Sequence, residues 1–111
     1  MVEMVEVEEL PTLSRHEIRE LQTFLKTEAA VVAETIQRYE GIAQASFKRA
    51  EKFDRLVRYA PEVNRDAIRA YAREARIEAE SYQLVAEQEQ QKLKFYQLQE
   101  RHLRALEKGA K

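Results

Sequence analysis

From Ser14 onward, apolar side chains recur every three or four residues. Ile18, Leu21, Leu25, Ala29, Val32, Ile36, Tyr39, Ala43, Phe47, Ala50, Phe53 and Val57 trace one stripe. Ile68, Tyr71, Ala75, Ala79, Tyr82, Val85, Leu93, Tyr96, Leu103 and Leu106 trace a second. That spacing lines up one face of a helix, so the pattern predicts two long amphipathic helices, about 15–59 and 61–108. Each would run for roughly 70 Å at the helical rise.

The punctuation agrees with this. Pro11, Gly41, Pro61 and Gly109 are the only prolines and glycines in the chain. Ser14 followed by Glu17 reads as a capping box, in which each side chain satisfies a free backbone N–H of the other. Pro61 has no N–H to lose in a first helical turn, and it disfavours helical geometry at Ala60 before it. A connection this short makes the two helices antiparallel neighbours. The alternative is one continuous rod kinked at Pro61. Folding the chain there pairs residues whose numbers add to about 121, which sets Tyr39 near Tyr82, Phe53 near Ile68 and Ala29 near Leu93.

The expected fold is therefore all-α: a long antiparallel two-helix hairpin over residues 14–111, coiled-coil-like, dimerising into a four-helix bundle. Dimerisation follows from a surplus of apolar side chains. Phe24, Val31, Val32, Ile42, Ile77, Leu84, Phe95 and Leu98 exceed what one thin seam hides, and each one left in water forgoes roughly 1.5 to 3 kcal/mol. They are the expected oligomer interface. The expected partner is a second copy, or another protein subunit.

Residues 1–13 differ from the rest. Val2, Met4, Val5 and Val7 alternate with Glu3, Glu6, Glu8 and Glu9, and no base is present. A lone alternating segment cannot stand as an isolated strand, so an extended or disordered acidic arm is expected.

Composition narrows the chemistry. At 111 residues the chain suits one small domain, too short for the doubly wound or barrel scaffolds of most cofactor enzymes. Without Cys there is no disulfide framework, thiolate metal site or thiol nucleophile. No run of 18 apolar residues occurs, and the N-terminus has no signal-peptide pattern, so the expectation is a cytoplasmic protein. Of the three Ser, Ser14 is the cap and Ser46 and Ser81 lie far from both His, and no Gly-rich phosphate loop is present. No catalytic residue and no cofactor is expected. The function expected is non-enzymatic, a protein–protein interaction or structural assembly module.

Charge is almost balanced, with 19 basic and 20 acidic side chains, but it is unevenly placed. Residues 48–76 hold nine bases and five acids. Lys48, Lys52 and Arg55 share one face there, and Arg65, Arg69 and Arg73 another. A basic tip of this kind gives an alternative reading, contact with nucleic-acid phosphates or an acidic partner.

A second alternative is a metal-binding bundle. The chain resembles the two-helix ferritin-like proteins in size, in hairpin layout and in its near-core carboxylates Glu28, Glu34, Glu40, Glu78 and Glu89. The resemblance implies a carboxylate metal site completed by dimerisation. Neither His follows a Glu by three residues, so the family's Glu-x-x-His pairs are missing. His16 and His102 fall at the open end instead, within reach of a shared metal with Glu20 or Glu100.

Overall fold

The computed structural model describes residues 12–109. They form two helices, α1 over Arg15–Val57 and α2 over Glu62–Gly109, packed side by side as a hairpin with no strand among the described residues. The kinked rod is excluded. Most of the acidic arm, residues 1–11, lies outside the described residues; Thr12 and Leu13 enter the first helix without helical structure.

α1 starts at the anticipated cap. The Glu17 N–H donates to Ser14 Oγ at 3.1 Å, and the Ser14 N–H donates to Glu17 Oε1 at 3.1 Å. The helix ends two residues earlier than expected. Arg58, Tyr59 and Ala60 close the turn by donating their N–H groups back to the carbonyls of Arg55 and Leu56, so the four-residue connection needs no residue with positive φ. Arg65 reaches back from α2 and donates from Nε to the Ala60 carbonyl at 3.2 Å.

Burial along both helices keeps one strict rhythm. In α1 the covered positions include Ile18, Gln22, Leu25, Ala29, Val32, Ile36, Tyr39, Ala43, Ser46, Ala50, Phe53 and Val57, separated alternately by four and three residues. In α2 they include Ile68, Ala72, Ala75, Ala79, Tyr82, Ala86, Glu89, Leu93, Tyr96, Glu100, Leu103 and Glu107, with the same alternation. This is the seven-residue repeat of a coiled coil, and the seam occupies its a and d positions. Gln22 and Ala72 are at a; Ile18 and Ile68 are at d.

The seam differs from the largest-apolar-residue stripe read off the sequence. Leu21, Tyr71 and Leu106 stand 41%, 55% and 42% exposed. Their neighbours Gln22, Ala72 and Glu107 take the covered positions instead. Small side chains let two helices approach closely, and Ala50, Ala72, Ala75 and Ala79 are among the most deeply buried residues.

Aligning the two rhythms antiparallel sets residues on one level when their numbers add to about 125, roughly one helical turn beyond the expected register. Tyr39 does stack on Tyr82, with ring centroids 5.7 Å apart. Phe53, however, meets Tyr71 rather than Ile68. The cause is the turn, which carries the first residues of α2 past the end of α1 and leaves Tyr59 and Val63 85% and 86% exposed. In this register large residues share levels with small ones: Ala29 with Tyr96, Tyr39 with Ala86, Ala43 with Tyr82, Phe53 with Ala72. Val32 shares its level with Leu93, so the polar run at 87–91 no longer faces it.

Gly41, the sole glycine inside α1, sits at an outward position with helical φ and open space where a Cβ would go. Gly41→Ala should raise unfolding free energy by about 0.5–1 kcal/mol, measured by denaturant titration, because it removes backbone freedom from the unfolded chain. Ala79 is fully buried in the seam. Ala79→Leu should therefore lower stability in the same titration by about 1–3 kcal/mol through overpacking.

Candidate interaction surfaces

The seam sorts the remaining positions onto distinct surfaces. In an antiparallel coiled coil, the e positions of both helices flank one side of the seam and the g positions flank the other. The hairpin is a flat ribbon, 76 Å long and 14 Å through its thinnest direction, so these flanks become its two broad faces.

The e face is polar. Asp54 pairs with Arg76, and Gln90 Nε2 donates to Glu40 at 3.2 Å. Gln83, Gln90 and Gln97 follow one another seven residues apart along α2. A shallow open trough on this face has Ala43, Ala86 and Phe47 along its floor and Glu40, Gln44 and Gln90 at its rim.

The opposite face mixes apolar levels with polar ones. Its g row runs Leu21, Glu28, Thr35, Ile42, Arg49 and Leu56 on α1, against Leu106, Gln99, Lys92, Val85, Glu78 and Tyr71 on α2. Arg49 and Glu78 bridge it at 3.4 Å. Phe24, Val31 and Phe95 stand beside this row at c positions, each more than half exposed. Ile77, Leu84 and Leu98 fall on the f row at the outer edge of α2, 58–59% exposed, separated from the g row by Glu74, Ser81, Gln88, Phe95 and His102 at c. Among the described residues, every large hydrophobic side chain that stands exposed in a helix lies at c, f or g, and none at b or e.

Of the interface residues expected from the sequence, Phe24, Val31, Ile77, Leu84, Phe95 and Leu98 are exposed at c and f positions, and Ile42 is half-buried at g. Val32 is the correction. It is only 5% exposed, a d residue covered by α2, and belongs to the hairpin's own core. Leu21, Leu56, Tyr71 and Leu106 belong to the same surface and were not expected there. Periodicity alone does not separate Leu21, Tyr71 and Leu106 from the seam positions beside them.

At the tip, two of the six expected contact residues are engaged within the chain. Arg65 holds the turn, and Arg69 Nη1 lies 3.3 Å from Asp66. Lys48, Lys52, Arg55 and Arg73 are exposed and make no ion pair or hydrogen bond with the described residues.

The geometry that the metal-binding alternative requires does not form among the described residues. Among the described residues no three His, Asp or Glu side chains converge on a common point. His16 pairs with Glu20 at 2.9 Å on the surface, and Glu34 points outward. The carboxylates nearest the seam are partnered: Glu89 with Lys92 at 3.4 Å, and Glu100 with Arg104 at 2.7 Å and Lys26 at 3.9 Å. The three serines have structural places. Ser14 caps α1, Ser46 is buried in the seam, and Ser81 donates to the Ile77 carbonyl at 2.8 Å.

Glu107, at the open end of the seam, accepts a hydrogen bond from Gln22 Nε2 at 2.9 Å and lies 3.5 Å from Arg19. The Gln22 bond, and then Arg19, hold its carboxyl below the ordinary carboxylate range, as Ser14 does for Glu17. A depressed folded-state pKa stabilises the fold above the unfolded value and is lost as pH falls through the folded one. The melting temperature should therefore fall on acidification below about pH 4.5, and Glu107→Gln should flatten that decline, read by circular dichroism.

No family model matches this chain, and no curated protein or solved structure does either.

Proposed function

We propose that this protein is a non-enzymatic assembly module that associates with itself, or with another subunit, through the apolar face and α2 edge of its hairpin. One observation carries the reading: the exposed large hydrophobic side chains are segregated onto c, f and g positions, while the b and e positions are polar or small, Phe47 excepted. Scattered single hydrophobics are ordinary on a protein surface. Their confinement to one side and one edge of a ribbon this thin points to a surface to be covered. A second hairpin laid on the face gives a four-helix bundle, whose core would combine the two seams with the g and c rows between them. The residues assigned to contact are Phe24, Val31, Ile42, Ile77, Leu84, Phe95 and Leu98, joined by Leu21, Leu56, Tyr71 and Leu106.

A second reading draws on the unpaired Lys48, Lys52, Arg55 and Arg73 at the tip, which suit contact with nucleic-acid phosphates or an acidic partner. It ranks lower because Arg65 and Arg69 are occupied within the chain. Binding to a duplex that weakens steeply with salt, and more with Arg55→Glu/Arg73→Glu, would favour it.

Light scattering after gel filtration should give at least twice the 13.1 kDa chain mass at micromolar concentration, falling on dilution. Val31→Glu/Phe95→Glu should weaken association at least about tenfold with helicity unchanged, because a charge in place of a buried anchor is left without a partner. Gln44→Glu, on the polar face, should leave the mass unaltered. A fully helical monomer at all these concentrations overturns the reading.

A further inference from the structure

The turn leaves helical bonding at a single place. Arg58 has φ −65° and ψ −27°, and the Ala60 N–H donates to the Leu56 carbonyl at 3.0 Å, the four-residue bond of a continuing helix. The next donor in that series would be residue 61, and Pro61 has none. Just beyond, the Asn64 N–H bonds the Pro61 carbonyl at 2.9 Å, and no described residue other than glycine has positive φ. The obstacle to one continuous helix is Pro61, whose ring also drives Ala60 from the helical region.

The two seams are in line across this obstacle. Val57, the last seam residue of α1, and Ile68, the first of α2, are eleven residues apart, about three turns of an unbroken helix. Carried straight through the turn, the covered stripe of α1 would continue into that of α2 along one side of a single rod. Eleven residues in three turns is itself a coiled-coil spacing, locally unwound from the seven-residue one. A hairpin does not need this alignment, because its turn sets the facing of α2 whatever the count.

A rod standing alone would expose its whole seam. Two rods laid antiparallel would pair α1 of each with α2 of the other on the levels already used, so every seam contact of the hairpin would be restored between chains. The two-fold axis would fall between Glu62 and Val63, and residues 15–109 of both chains would finish almost flush. Since the seam is common to both forms, the turn decides between them. In the hairpin, the short tether holds the second helix at an effective concentration of order millimolar. In the rod, each Pro61 would leave the Val57 carbonyl without its donor and press its ring against that carbonyl.

We infer that Pro61 is a latch between the closed hairpin and an arm-exchanged dimer, a rod whose seam is made with a second copy of this chain. The latch acts through the seam and the turn alone, independently of the exposed c, f and g residues.

Pro61 is exposed, so replacing it leaves the seam intact. The chain has no Cys, and Gln22 and Glu107 touch at 2.9 Å across the open end, so Gln22→Cys/Glu107→Cys reports the pairing without background. A short bismaleimide joins these thiols within one chain when the hairpin is closed, whether or not hairpins associate by their outer surface. It joins two chains when the arms are exchanged. After refolding at a series of concentrations, denaturing electrophoresis should show the two-chain band in Pro61→Ala at concentrations at least about tenfold lower than with proline in place. X-ray scattering of Pro61→Ala should then give a longest dimension of about 140 Å, against 76 Å for the hairpin. Pro61→Gly removes the ring but supports a helix poorly, so it should exchange less readily than Pro61→Ala. A link within one chain and a compact particle for Pro61→Ala at every concentration overturn the exchange, while leaving association through the outer surface standing. Pro61→Gly exchanging as readily as Pro61→Ala overturns helix continuity as the latch.

Discussion

The structure depends on an unbroken alternation of four- and three-residue steps along both helices, kept in phase across one turn. A helix of 3.6 residues per turn drifts steadily against that repeat, so the two rods must wind around each other to keep their covered positions facing. The winding is possible over this length because half of the seam levels carry an alanine or serine, and each of the four aromatic levels sets its ring against an alanine. Tyr82, Tyr96 and Phe53 each share a level with an alanine. Two large rings on one level would force the axes apart and lose contact on the levels above and below.

Once the seam is fixed, every other surface is fixed with it. Arg76 and Asp54 meet because both are e positions, and Arg49 meets Glu78 because both are g positions. Surface ion pairs of this kind contribute about 0–1 kcal/mol each, so they do not hold the hairpin closed. Their value here is as reporters of phase. The segregation of apolar side chains onto one face and one edge is likewise a property of where they stand relative to the seam. A shift of one position along either helix would scatter them to both sides.

The two helices, their cap at Ser14 and the antiparallel turn at Pro61 were legible in the sequence, since each rests on local chemistry. The seam was legible only in part. Leu21, Tyr71 and Leu106 are larger and more apolar than Gln22, Ala72 and Glu107, and a reading that rewards hydrophobicity takes the larger residue at each step. Packing rewards closeness instead, and the carboxylate of Glu107 is accommodated by Gln22 and Arg19, which no periodicity announces. Register failed for a similar reason: a turn closed entirely by right-handed and extended residues takes up height that a residue count does not show. Most of the outward hydrophobics, Phe24, Val31, Ile77, Leu84, Phe95 and Leu98, were found because they did not fit the stripes. Val32, which the stripe sets in the seam, adjoins Val31 and differs from it by a hundred degrees of rotation, enough to bury one and expose the other.

The seam is also lopsided along its length. Near the turn it holds Phe53, Val57, Ile68 and a run of alanines; toward the chain ends it takes in Gln22, Glu89, Glu100 and Glu107. Polar side chains contribute little to holding helices together, and contacts close to the turn close the shortest loops. The hairpin thus behaves as a zipper with a firm hinge and a yielding mouth. Amide protons in the half nearest Pro61 would exchange last, and opening would begin where the acidic arm is attached.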